Sequence, residues 1–277
     1  MADMVRSTDG VAVAVHDLGG DGPPLLLAHA VGFCGRVFAP LAGRLGARFH
    51  CWALDLRGHG DSETPIEVDF AWPGLADDVL AAVDGLGLEG AVGVGHSAGA
   101  AAVLDAEARW PGAFSRLWCF EPILWPAPPP LPPRIALIAG ALRRREGFPS
   151  RAAAYADIAA KPPLDALHPD ALAAYVDCGF ADDEQSGRGA VRLKCRRDSE
   201  AAMYRQGLAH DGFSRLGEVG CDVVVALAGD SSAIGADVAR AQVAALPHGR
   251  LEVFDDLSHF GPLEDPDAVA AAVLRAP

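Results

Sequence analysis

The chain lacks the features that would send it to a membrane, a metal or a nucleic acid. Its first residues, Met1-Ala2-Asp3-Met4-Val5-Arg6, have no basic region followed by a long apolar stretch, so no signal peptide is evident. No uncharged apolar run reaches the roughly 20 residues of a membrane span. These two absences lead us to expect a soluble, cytoplasmic protein. Positive charge is also scarce: the net charge is −14, which argues against nucleic acid or anionic membrane as a partner. The only basic clusters are Arg143-Arg144-Arg145 and Lys194-Cys195-Arg196-Arg197, both short enough to read as solvated faces. Six cysteines are scattered with no C-x-x-C or other metal spacing, and Cys51, Cys119 and Cys221 read as reduced core residues. Nothing implies a metal, nucleotide or flavin. Gly93-Val94-Gly95-His96-Ser97-Ala98 fails as a dinucleotide loop because the sixth position is Ala. The partner expected is a small-molecule substrate, with the chain a monomer or homodimer.

What is present is hydrophobic and periodic. Half of the 277 residues are apolar, enough for one large α/β core. Short apolar runs alternate with helical patterns. Strands are expected over 11–18, 24–30, 49–56, 91–94, 117–123, 222–228 and 250–254. Helices are expected near 38–47, 72–86, 98–110, 237–246 and 266–275. This alternation predicts a mostly parallel, doubly wound sheet, whose working residues sit at the carboxyl ends of strands. The pattern breaks at Pro122. Seven prolines fall between Pro122 and Pro133, and proline, which lacks an amide donor, continues neither sheet nor helix. Helical segments follow, at 134–145, 151–160, 169–176 and 199–207. The interruption is far longer than a βαβ crossover needs. We therefore read 125–215 as an inserted helical cap, with 1–124 and 216–277 forming the core.

The chemistry is concentrated at Gly95-His96-Ser97-Ala98-Gly99. A strand-like run leads in and a helical run leads out. G-x-S-x-G at such a junction is a nucleophile elbow, and it marks Ser97 as the nucleophile. The plainer reading, an ordinary Gly-rich turn, is disfavoured by the strand before and the helix after. His259 lies just after the last strand and before the last helix, in reach of those strand ends. It is the candidate base. A carboxylate must then orient the imidazole. The helix-opening amide of Ala98 is one candidate donor to an oxyanion. Asp55 and Arg57 read as loop braces, His29 as a loop-stabilising hydrogen-bonding residue, and His96 as packing against the elbow. His168 and His210 read as surface residues. Phe33, Phe38 and Trp125 are candidates to line an apolar substrate pocket, with core packing an equal reading for each.

Taken together, these motifs resemble the α/β-hydrolase family, in its cap-bearing, esterase-like branch. His29-Ala30-Val31-Gly32-Phe33 resembles the family's H-G oxyanion loop. Asp55-Leu56-Arg57-Gly58-His59-Gly60-Asp61-Ser62 is similar to its D-x-R-G-x-G-x-S segment. The elbow and Ser258-His259-Phe260 complete the set. The resemblance implies an α/β-hydrolase fold and makes the Val31 amide the second oxyanion donor. It also implies an acid after the penultimate strand, but the usual position holds Ser232, with Asp230 two residues early. A subset of the family carries the acid one strand earlier, where this chain ends a strand in Phe120-Glu121-Pro122. The reading favours Glu121 over Asp230, with Asp255 and Asp256 behind both. For Glu121 the plainer reading is a carboxylate that ties down the cap entrance.

The function implied is a metal-independent serine hydrolase of an ester, thioester or lactone. Its rivals are another reaction on this fold (perhydrolase, C–C hydrolase or lyase) and a non-catalytic small-molecule binder. Epoxide hydrolase and dehalogenase chemistry is disfavoured, since those relatives place Asp where Ser97 stands.

Overall fold

The computed structural model describes residues 2–65, 70–128, 131–207, 211–231 and 233–276. His210 and Ser232 lie outside the described residues. An eight-stranded sheet organises the fold. Its strands are β1 (Asp3–Arg6), β2 (Ala12–Gly19), β3 (Pro24–Ala28), β4 (His50–Leu54), β5 (Ala91–His96), β6 (Phe114–Phe120), β10 (Asp222–Asp230) and β11 (Gly249–Ser258). The spatial order is β1-β2-β4-β3-β5-β6-β10-β11. β1 and β2 run antiparallel to their neighbours, and every pairing from β4 to β11 is parallel.

Strand periodicity explains the two cores. Alternate side chains leave a strand on opposite faces, so Leu26 and Ala28 enter one cluster while Leu25 and Leu27 enter the other. Helices α2 (Trp72–Leu86), α3 (Ala98–Arg109) and α8 (Ala236–Ala245) cover the first face. Helices α1 (Ala39–Leu45) and α10 (Pro266–Arg275) cover the second. Strands β4, β3, β5, β6 and β10 are buried on both sides, as a doubly covered parallel sheet requires. The expected mostly parallel, doubly wound architecture is the one observed.

The stretch between β6 and β10 corrects one expectation, because it is not purely helical. Its helices are α4 (Leu131–Arg143), α5 (Arg151–Ala159), α6 (Pro169–Gly179) and α7 (Arg197–Gln206). Between them β7 (Gly147–Phe148), β8 (Phe180–Asp182) and β9 (Val191–Leu193) build a second, three-stranded antiparallel sheet in the order β7-β9-β8. Strands of two or three residues have no readable period, and their pairing partners lie far apart in sequence. The proline run also ends sooner than expected. Pro132 and Pro133 sit in the first turn of α4, where a missing amide hydrogen leaves no intrahelical bond unmade.

Three boundaries bear on the site. β6 stops at Phe120 rather than at 123, because Glu121 adopts φ 46°. β11 runs on to Ser258, delivering His259 directly from a strand end. A four-residue helix, α9 (Gly261–Glu264), follows at once. Among the described residues no helix is long and apolar enough to cross a membrane.

Candidate active site

The elbow begins with a geometric necessity. β5 must hand over to α3 within one residue, and Ser97 takes that turn with φ 57° and ψ −115°. This left-handed conformation strains any residue with a side chain. Its amide remains in the sheet, donating to the carbonyl of Phe120 at 2.9 Å. The turn closes only because its flanks carry no side chains. A Cβ on Gly95 would stand 2.4 Å from Ala100 Cα, and one on Gly99 would stand 2.2 Å from the carbonyl oxygen of Ala28. The second contact presses the elbow against the end of β3, beside the loop that holds Val31.

His259 meets Ser97 from the far strand. Its Nε2 lies 3.2 Å from Ser97 Oγ, and its Nδ1 lies 2.6 Å from Glu121 Oε2. A carboxylate accepts, so Nδ1 carries the hydrogen and Nε2 is left to accept from the serine hydroxyl. Glu121 is fully buried. It is held by two further bonds: Oε1 accepts from the Ala228 amide at 3.0 Å, and its own amide donates to Ala226 at 2.8 Å. Both partners are on β10. A buried carboxylate with both oxygens and its backbone engaged has one orientation. Its positive φ aims the side chain back over the strand ends. Asp230, Asp255 and Asp256 are exposed at the ends of β10 and β11, while the imidazole is engaged by Glu121.

Sequence reasoning missed how the His259 loop is secured. His96 packs edge-on against Phe120 and Phe260 as expected, and its Nε2 also donates to the His259 carbonyl at 2.7 Å. Burial, aided by the proximity of His259, holds the His96 pKa well below its usual value, so the ring is a neutral Nε2–H donor. On the other side, Glu264 accepts from the Ser258 amide at 2.9 Å and from the Ser258 hydroxyl. The signal in the sequence was only adjacency to Ser97.

The loop after β3 is equally tied. His29 Nδ1 donates to the Ala30 carbonyl at 2.7 Å, and its Nε2 accepts from the Leu56 amide at 3.0 Å. Burial foremost, with nearby His59, pushes the His29 pKa down to about 3. Val31 is buried in the turn beyond, and Ala98 is the first residue of α3, fully buried.

The braces act as expected. Arg57 forms two bonds to buried Asp78, at 2.6 and 2.8 Å, and one to Asp9 at 2.7 Å. Asp55 accepts from His16 and from the amides of Gly35 and Asp61, at 2.8, 2.6 and 2.7 Å. The His16, Asp55 and Asp61 ligand atoms lie within 4.8 Å of one another. Asp55 already accepts from three donors, however, and Asp61 pairs with Lys194 at 2.5 Å, so the group is a hydrogen-bonded brace and does not fit a cation site.

The pocket candidates separate. Phe33 packs between Tyr175 and Phe260, with ring centroids 5.1 and 6.0 Å away, and Phe260 in turn stands edge-on to His259 at 5.4 Å. Phe38 belongs to the core. Trp125 is half-buried against the cluster under α2 and α3. His168 is half-buried rather than a free surface residue, capping α6 by accepting the Asp170 amide at 3.2 Å. Cys221 is only half-buried, whereas Cys51 and Cys119 are core residues. The solvated reading of Arg143-Arg144-Arg145 fails at its middle residue. Arg144 turns inward to Glu200, 2.7 Å away, and to the hydroxyl of Tyr175.

A 92-residue stretch is 39% identical to the 2-(acetamidomethylene)succinate hydrolase of Mesorhizobium japonicum, covering 33% of each chain. A 116-residue stretch is 30% identical to the N-formylmaleamate deformylase of Pseudomonas putida, covering 42% of this chain and 43% of that one. These matches span less than half the length of either relative. The crystal structure of an E-2-(acetamidomethylene)succinate hydrolase superposes on 100% of this chain and 98% of its own, with a TM-score of 0.86 at 24% identity. The family model described as the alpha/beta hydrolase family matches residues 25–272. That range takes in the elbow, Glu121 and His259, and the chain belongs to the alpha/beta hydrolase family.

Proposed function

We propose that this hydrolase cleaves a carboxylic ester, thioester or lactone through an acyl-enzyme intermediate on Ser97. The observation that carries this reading is the continuous chain from Ser97 Oγ to His259 (3.2 Å) to Glu121 (2.6 Å). His259 takes the serine proton through Nε2 as Oγ attacks the carbonyl carbon. Glu121, held by the amide of Ala228, keeps Nδ1 protonated and balances the imidazolium that forms. The amides of Ala98 and Val31 receive the developing oxyanion. His259 returns the proton to the leaving group. It then activates a water that releases the acyl group from Ser97. Residues 125–215 act as a cap over the strand ends, and Phe33, beside Tyr175 and Phe260, lines the apolar side of the pocket.

A second reading places the scissile bond in an activated amide. It is favoured by the names of the relatives, an acetamidomethylene succinate hydrolase and an N-formylmaleamate deformylase. The same residues serve it, with His259 protonating a nitrogen leaving group. A panel of p-nitrophenyl esters of increasing chain length, thioesters, lactones and N-acyl amides tests both readings. The first predicts ester, thioester or lactone turnover that is lost in Ser97→Ala. Turnover of amides alone would transfer the proposal to the second reading.

A further inference from the structure

We propose that Tyr175 and Arg144 are positioning residues for the oxyanion donor at Val31. Both come from the segment between β6 and β10, and both grip the carbonyl of Gly32. The proposal rests on the serine hydrolase reading above.

Gly32 is the soft link of the oxyanion loop. It sits at φ 87°, a region open to glycine and strained for other residues. Left to itself, such a residue samples the widest range of conformations in the turn. Both of its backbone polar groups are nonetheless held by side chains. Its amide donates to His59 Nε2 at 2.9 Å. Its carbonyl accepts from the Tyr175 hydroxyl at 3.0 Å and from Arg144 Nη1 at 3.4 Å. One peptide earlier, the Ala30 carbonyl is held by His29 Nδ1 at 2.7 Å and by the Phe33 amide at 3.3 Å. In a planar trans peptide the N–H points opposite the C=O, so clamping Ala30 aims the Val31 amide away from those donors. Anchors on both sides of Val31 therefore determine where its N–H points. His29 and His59 anchor it from the core. Tyr175 and Arg144 anchor it from the insert.

The insert is built around this contact. Tyr175 lies on α6, Arg144 just beyond α4 and Glu200 on α7. Arg144 donates to Glu200 at 2.7 Å and to the Tyr175 hydroxyl, which passes its own hydrogen to Gly32. A Cβ on Gly32 would stand 2.9 Å from Arg144 Nη1 and 3.0 Å from Glu200 Oε1, so the cluster rests directly on the turn. Tyr175 and Glu200 are buried. The Arg144 charge is already balanced by Glu200, which suits a structural clamp better than a receptor for a substrate anion. Seating of the insert and assembly of the oxyanion hole are thus one event.

Tyr175→Phe tests this, since it removes one hydroxyl and keeps the ring that packs on Phe33. The expected result is a fall of about tenfold in kcat, with KM within twofold of wild type. Affinity for an aryl trifluoromethyl ketone, which adds to Ser97 and places an oxyanion in the hole, should fall by the same factor. Affinity for the alcohol product of an ester substrate, which carries no acyl oxygen to place there, should not change. Arg144→Lys, which keeps the charge and loses the fork, should give the same pattern and serves where Tyr175→Phe folds poorly. An active wild type matched by a folded variant in kcat and ketone affinity would overturn this inference alone. So would a loss confined to KM. A wild type that neither turns over acyl substrates nor binds the ketone would overturn the hydrolase reading and this inference with it.

Discussion

His96 holds His259 by its backbone: the Nε2 hydrogen of one meets the carbonyl of the other at 2.7 Å. His96, which precedes Ser97, thereby fixes the loop that carries His259. His96→Phe leaves that carbonyl without its donor and lets the loop drift. A buried hydrogen bond of this kind contributes about 1 kcal/mol net, so kcat should fall by roughly five- to tenfold with KM little changed. Steady-state kinetics on any active ester checks this. A variant with unaltered kcat would mean that His259 is positioned by Glu121 and Ser258 alone.

Glu121 and Asp230 compete on chemistry that one pair of substitutions separates. Glu121→Gln keeps the shape and the bond to the Ala228 amide, but it no longer offers a carboxylate to Nδ1. It should lower kcat by about 10³- to 10⁴-fold. Asp230→Asn, at an exposed strand end, should stay within twofold. The reverse outcome in the same assay would move the acid to β10.

Much of this arrangement was legible in the sequence, because the relevant signals are local. The elbow needs small residues flanking a serine, and Gly95 and Gly99 announce it. His259 follows an apolar run and precedes a helix start. Glu121 ends a strand and is fixed by a proline. The parallel core was readable from alternating periods. The second sheet was not, since Gly147–Phe148 and Val191–Leu193 pair across more than 40 residues and carry no period of their own. The inward turn of Arg144 was equally hidden. Its partners Tyr175 and Glu200 are 31 and 56 residues away, and an arginine run reads as surface wherever its partners are not local. The His96–His259 bond spans 163 residues, so only the folded chain reveals it.

Two glycines in helices should respond oppositely to alanine. Gly99→Ala drives a methyl to 2.2 Å from the main-chain oxygen of Ala28, and neither strand nor helix can yield cheaply. The expected loss is about 3 kcal/mol in urea unfolding, or failure to fold. Gly140, inside α4, meets nothing within 4 Å of an added Cβ. Gly140→Ala should therefore stabilise by about 0.5–1 kcal/mol. Equal effects at the two sites would contradict the elbow packing.

Stability should rise with pH across the mildly acidic range. His29, His59 and His96 are buried neutral, and burial is the foremost cause of each lowered pKa, to about 3 for His29. The unfolded chain binds their protons near pH 6.5, while the folded chain does not. Their contribution is therefore complete above about pH 6.5 and is lost as pH falls toward the folded values. In that window His29 alone gives a slope of about 1.4 kcal/mol per pH unit. Asp78 opposes this, since burial pushes its carboxyl up, but it is one group against three. Urea unfolding at pH 4.5, 5.5 and 6.5 should give steadily increasing stability. A flat or falling series would mean that these imidazoles are charged in the folded protein.

Covalent labelling reads the proposed activation of Ser97 by His259 without any assumption about substrate. Wild-type protein treated with a fluorophosphonate should gain a single adduct by intact mass. Peptide mapping should place that adduct on Ser97, and Ser97→Ala should remain unmodified. His259→Ala, still bearing the serine, should label orders of magnitude more slowly. A folded wild-type protein that stays unlabelled, or one labelled away from Ser97, would show that Ser97 is not an activated nucleophile.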